Sequence, residues 1–280
     1  MKTVFAICLT ALSLLSTSVS AQDSEGREVN DPASTAGVLK ARQEEAGVIR
    51  NFPSIAHRDG NMLTISRGGH PVARFTDSGI QHCDGSGTCN VWRFLGLITL
   101  QTAPGRHEAY AELRYLDGEG DSFLLIGENG EAAWLDEKPL VSPDGRYVAT
   151  GETEGLDDAS LTIIDWASPG HRIQAAFKSP CEPIEWSDAK TFSVICSRTD
   201  GAGTYRFDYV LGTVRQTVSD SWQLKQTDIV DDYLTRKPAI DRGFKPRSET
   251  ADFAIRPEKS AKEQADDDAY DRNAGYEKLN

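Results

Sequence analysis

Apolar and polar positions alternate in short runs through the middle of the chain. In "NMLTISRGGHPVARFTD", residues 61 to 77, two alternating runs flank "RGGH". In "AYAELRYLDGEGDSFLLIGENGEAAWL", residues 109 to 135, three runs are separated by "DGEGD" and "ENGE". "RYVATG", "LTIIDW", "HRIQAAF", "TFSVIC", "TYRFDYV" and "TVRQTV" continue the pattern. The runs are rich in β-branched and aromatic residues and end at Gly, Asp, Asn or Pro, as short strands joined by tight turns do. No helix-length periodicity interrupts them, which sets aside alternating α/β folds. The pattern predicts an all-β meander of antiparallel hairpins over residues 51–226.

The ends of the chain read differently. "MKTVFAICLTALSLLSTSVSA" carries Lys2, an apolar run from Val4 to Leu15 and the small residues Val19-Ser20-Ala21. That is the layout of a secretory signal peptide over residues 1–21, and the run falls short of the roughly 20 residues that cross a bilayer. Residues 22–50 form a polar lead. Within it "STAGVLKARQEEAGVI" offers a Ser34 or Thr35 cap and a thin stripe of Val38, Leu39, Ala41, Ala46 and Val48, so a short surface helix and an unstructured lead both fit. Residues 227–280, most clearly from Lys237, are rich in charge and poor in large apolar residues. Such composition buries too little surface to offset its ordering entropy and predicts a mostly disordered tail. Asp266-Asp267-Asp268 within it reads as a solvated charge run.

Internal repetition refines the fold. "LVSPDGRYVATG" lines up with "EWSDAKTFSVIC", so that Ser142 falls on Ser187 and Tyr147 on Phe192 at a period of 45 residues. "LTIIDWASPGHRIQ" lines up with "TYRFDYVLGTVRQ", so that Asp165-Trp166 falls on Asp208-Tyr209 at a period of 43 residues. Val141-Ser142-Pro143-Asp144-Gly145, followed by Arg146-Tyr147-Val148-Ala149, and Ile184-Glu185-Trp186-Ser187, followed by Phe192, are similar to the WD40-like repeats of TolB-type bacterial β-propellers. The second unit departs from them, with Asp188-Ala189-Lys190 where the Pro-Asp-Gly turn would fall. The resemblance covers about residues 137–218. It implies a small or incomplete propeller, with a β-sandwich as the alternative, and it implies a platform for interaction rather than a particular chemistry.

With Cys8 in the leader, Cys83, Cys89, Cys181 and Cys196 remain, an even set that in an exported chain predicts two disulfides. Three pairings are open. Folding "CEPIEWSDAKTFSVIC" about Ser187–Lys190 places Trp186 opposite Thr191 and Cys181 opposite Cys196. The loop "CDGSGTC" lets Cys83 reach Cys89. The two local bridges are therefore expected. His82 beside Cys83 and Cys89 lacks a fourth ligand for zinc, and "CDGSGTC" lacks the lysine and helix of a phosphate loop.

The net charge of −13 disfavours nucleic acid and anionic lipid as partners. "DGEGDSFLLIGE" places acidic residues at positions 1, 3, 5 and 12 of a calcium-loop pattern, with Leu124 at position 8. Ser122 replaces its turn glycine and strand-forming residues follow, so an acidic β-turn competes with a calcium site of Asp117, Glu119 and Asp121. Calcium is the one cofactor suggested. No GxSxG elbow occurs, and His57, His70, His107 and His171 fall at turns or strand starts, so no catalytic residue is assigned. Trp166 and Trp186 are expected in the core; a face of Trp and Tyr that binds sugar or peptide is the rival reading for the aromatics.

These observations favour a periplasmic or secreted, non-enzymatic binding module that meets an envelope or extracellular protein, without stable membrane insertion of the mature chain. A hydrolase or lyase acting on glycans or peptides, and a calcium-stabilised envelope protein, are the alternatives.

Overall fold

The computed structural model describes residues 35–79, 89–116, 121–135, 137–153, 161–168, 170–199, 207–229, 248–251, 271 and 274–279. Among the described residues it is all-β around the helix α1 (Thr35–Asn51). Four antiparallel sheets follow one another along the chain. The first contains β1 (Ala56–Asp59), β2 (Met62–Arg67) and β3 (His70–Thr76), and takes its fourth strand, β17 (Tyr276–Lys278), from the far end of the sequence. The second is β4 (Val91–Ala103), β5 (Arg106–Leu116), β6 (Asp121–Ile126) and β7 (Ala132–Leu135). The third is β8 (Leu140–Val141), β9 (Tyr147–Thr150), β10 (Leu161–Asp165) and β11 (Arg172–Phe177). The fourth is β12 (Cys181–Asp188), β13 (Thr191–Thr199), β14 (Phe207–Gln216), β15 (Trp222–Ile229) and β16 (Ser248–Ala251). Among the described residues no sheet closes into a barrel and the set does not close into a propeller.

Each sheet packs a face on the next, with a core at each of the three junctions and a small cluster of Val38, Cys89 and Val91 where the helix meets β4. Leu63, Ile65 and Phe75 of the first sheet meet Trp92, Phe94 and Leu113 of the second. Leu100, Tyr110 and Leu125 of the second meet Val148, Ile164 and Trp166 of the third. Tyr147, Ile163 and Phe177 of the third meet Trp186, Phe192 and Trp222 of the fourth. A sheet covered on both faces needs apolar residues on both, so Phe123–Ile126 and Tyr147–Thr150 are buried at every position instead of alternating. The first sheet keeps one wet face, and β2 alternates strictly between half-buried and buried positions.

Helix α1 is held by charge as much as by its apolar stripe. Val38 is buried, with Val48 and Ile49 packed beside the first core, while Leu39 stays exposed. The carboxylate of Glu45, buried at the first–second sheet junction, accepts from Arg58 Nε at 2.6 Å and from the Phe94 N–H at 2.7 Å. Asp77 accepts from Arg42 at 2.6 Å, from Arg58 Nη1 at 2.8 Å and from the Trp92 N–H at 2.8 Å. Two acids and two arginines thus neutralise one another where helix and sheets meet.

The sequence repeat survives only in part. Val141 pairs with Val148 in the third sheet, and Trp186 pairs with Phe192 in the fourth. Val141 and Trp186 keep the period of 45, but Val148 rather than Tyr147 is the counterpart of Phe192, because five residues, 187–191, separate the paired positions there against six, 142–147, in the third sheet. The period of 43 is overturned. "TYRFDYVLGTVRQ" does not make a hairpin: Phe207–Gln216 is one strand, and the turn comes after it at 217–221. Gly212 lies inside that strand because a Cβ there would meet Val194 Cγ2 at 3.1 Å and Lys225 O at 3.2 Å. The counterpart of Trp166 is Gln216, since the Trp166 N–H donates to Arg146 O and the Gln216 N–H to Lys190 O.

Two stretches of the expected tail correct that reading. Ser248–Ala251 pairs with β15, and Tyr276–Lys278 pairs with β3. The ladder satisfies their backbone groups, and aromatic contacts supply what composition lacks. Tyr276 stacks on Phe75 at 5.2 Å and donates to Gly130 O at 3.1 Å. Trp92 Nε1 donates to Ala274 O at 2.6 Å, and Trp134 Nε1 to Asp271 at 2.6 Å. Burial, with Asp271 adding to it, pushes the Tyr276 hydroxyl up to about 12.

Candidate functional site

The second–third sheet junction carries a cavity of about 250 Å³. Three hairpins build it. From β5 come Arg106, Glu108 and Tyr110; from the β6–β7 turn, Glu128 and Glu131; from the β10–β11 turn, His171. Alternation along β5 sends Tyr110 into the core shared with the third sheet, where its ring meets Trp166 edge-on at 5.4 Å.

The β6–β7 turn is fixed by its own polar groups. The Gly127 N–H donates to Glu131 O at 2.9 Å, and Asn129 Oδ1 accepts from the Glu131 N–H at 2.9 Å. Glu108 Oε1 accepts from the Glu128 N–H at 2.7 Å, which ties β5 to the turn. A Cβ at Gly127 would sit 3.2 Å from both Glu108 Oε1 and Tyr110 Cε1, so the close approach selects glycine. Across the cavity His171 stacks on Trp166 at 4.0 Å, with Nδ1 3.2 Å from Trp166 O. Its backbone is left-handed, φ 46°, inside a turn closed by the His171 N–H donating to Ser168 O at 3.0 Å.

The electrostatics are lopsided. Glu108, Glu128 and Glu131 face one arginine, and none of the three carboxylates forms a salt bridge among the described residues. Burial pushes the Tyr110 hydroxyl up; the indole N–H of Trp166 pulls the other way, and Glu108, Glu131 and Glu128 reinforce the rise. Trp166 Nε1 is directed at the phenol without completing a hydrogen bond. On the same face of β5, Glu112 is pushed up by burial, with Lys138 opposing.

A second cavity of about 210 Å³ opens beside the first, between the β4–β5 hairpin and the start of the β10–β11 turn. Arg146 spans it and meets Asp165 at 2.9 and 3.3 Å. The adjoining "SPDG" turn is a structural device. Ser142 Oγ accepts from the Tyr147 N–H at 2.8 Å and donates to Asp144 at 2.7 Å, and Gly145 O accepts from the Gln101 N–H at 2.8 Å. A Cβ at Gly145 would lie 3.0 Å from Thr99 O, which accounts for the glycine.

Of the residues singled out in the sequence, His171 and Glu128 line the cavity and Trp166 packs against Tyr110 and His171; the others fall elsewhere. Cys181 and Cys196 are bonded, directly opposed on β12 and β13 with Cα atoms 3.9 Å apart. Trp186 faces Phe192 rather than Thr191, and two bulges restore the register at the cysteines. Cys89 is also disulfide-bonded. Cys83, and with it the expected partner, lies outside the described residues, as do His82, Asp117 and Glu119 and the signal peptide. Asp121 begins β6, but its side chain is outside the description. The ring nitrogens of His107 and His171 lie within hydrogen-bond distance of the backbone carbonyls of Asp144 and Trp166. Trp92, Trp166, Trp186 and Trp222 are buried between sheets. Among the described residues no three His, Cys, Asp or Glu side chains are grouped to hold a metal ion, and no helix is long and apolar enough to cross a membrane.

The arrangement defines an all-β protein of packed antiparallel meanders with an acidic, aromatic-floored cavity at one junction. No protein-family model, curated protein or solved structure matches the chain.

Proposed function

We propose that the protein is an exported binding module that engages a protein partner through the hairpin turns at the second–third sheet junction. One observation carries this reading: cavities of about 250 and 210 Å³ both open at that junction, between turns that a core buried on both sides holds in place. Turns on a rigid scaffold are where proteins place recognition. The Cys181–Cys196 bridge is consistent with an oxidising compartment, and the leader-like first 21 residues support export. The propeller-like reading belongs here too: successive meanders, the first completed by a strand from the chain's other end, would form an incomplete propeller acting as a platform.

Site-directed photo-crosslinking in the envelope tests it. A crosslinker at Asn129 or Ser168 is expected to capture one and the same partner, and unlabelled mature protein should compete the adduct away. A crosslinker at Thr64, on the first sheet, should capture nothing. Adducts from all three positions alike, or from none, would sink the proposal.

A further inference from the structure

We infer that the 250 Å³ cavity receives a single cationic side chain, lysine or arginine, from that partner. This rests on the binding-module reading and names its chemistry. The volume lies below the roughly 300–1,000 Å³ of sites that hold drug-sized ligands, which suits one side chain.

Charge points to a cation. Glu108, Glu128 and Glu131 rim the cavity without a salt-bridge partner among the described residues, against Arg106 alone. The floor points the same way independently. Tyr110 lines the cavity at 7 % exposure, and the group directed at its hydroxyl among the described residues is the Trp166 indole N–H, which completes no hydrogen bond. A phenol oxygen so placed can accept from an ammonium or guanidinium N–H, and the His171 ring, stacked on Trp166, lines the same cavity. A metal ion is the poorer fit, because the carboxylates do not converge as a ligand group.

The junction is intact in the folded chain, so the mature, disulfide-bonded protein is the sample. Amide chemical shifts would be followed by NMR on adding capped lysine, capped arginine, capped norleucine or spermidine. The two cationic amino acids are expected to shift Gly127, Glu128, Glu131 and His171 saturably, and norleucine should not. Raising salt from about 20 to about 300 mM should weaken binding several-fold, since Glu128 and Glu131 are exposed to solvent. Glu131→Gln should weaken it about tenfold, the usual cost of a lost charged contact. Glu108→Gln keeps an oxygen for the Glu128 N–H, so it should fold and also weaken binding. Glu185→Gln, exposed on the fourth sheet, should leave binding unchanged.

Equal shifts with norleucine, or unchanged affinity in both cavity variants, would overturn the assignment. Tighter binding of spermidine than of capped lysine would assign the cavity to a free polyamine instead. Failure here with successful crosslinking at Asn129 removes the cation and leaves the binding module standing. Cation binding without crosslinks removes the protein partner and leaves a small-amine site.

Discussion

Arg58 shows how few side chains hold the N-terminal third together. Its guanidinium reaches Glu45, Asp77 and Trp92 O at once, and the two carboxylates are almost fully removed from water. Removing one partner of a buried ion cluster leaves a charge uncompensated, which costs about 3–5 kcal/mol. Arg58→Met is therefore expected to lose about that much in urea unfolding, and a loss under about 1 kcal/mol would contradict the cluster's role. Glu112 carries the opposite sign. Burial raises its folded pKa, so the folded state holds the proton more tightly than the unfolded chain does. Its contribution is fully present below the ordinary carboxylate range and is lost as pH rises through the raised folded value. Glu112→Gln should accordingly raise Tm at pH 7, with the gain shrinking toward pH 4. A variant equally shifted at both pH values would show that burial of the charge is not the cause.

At the scale of elements, alternation served well wherever a strand has one dry face and a local turn. Strands β2, β3, β5, β6 and β7 lie where the runs of 61–77 and 109–135 place them. Cys181 opposite Cys196 was legible too, because hairpin pairing is a matter of counting from the turn, although two bulges share the work. The longest strand, β4, is not among those runs. Gly96 and the irregularities at Phe94/Gly96 and Gln101/Ala103 break its period. Strands β16 and β17 were hidden for another reason: their stabilisation is long-range, through β15, Phe75 and Gly130, and nothing local in a charged segment reports it. The cystine can be weighed directly. Its cysteines are 15 residues apart, and a closed loop of that size contributes about 3 kcal/mol in the chain-entropy picture. Replacing both cysteines with alanine should cost about 2–5 kcal/mol, measured by thermal unfolding against the parent. No loss of Tm would mean that the bridge does not brace the fourth sheet.

The described residues form four sheets with a core at each of three sheet junctions, and the candidate site exists only because neighbouring sheets pack face to face. That is why the site could not be read from the sequence. Glu108, Glu131 and His171 come from three separate hairpins, and "ENGE" reads locally as nothing more than a turn. Sheet stacking also explains why the repeat was half right. The meanders follow one another in order, but turn lengths differ, so residue-by-residue equivalence slips by one at Phe192 and fails in β14. The most direct test of this architecture is a nuclear Overhauser measurement between the Tyr110 ring and the Trp166 indole in the mature protein. Their centroids lie 5.4 Å apart, and clear cross-peaks between the two rings are expected. If Trp166 instead contacts only fourth-sheet residues such as Phe192 or Trp222, the second and third sheets do not share a core, and both the cavity and the function built on it fall.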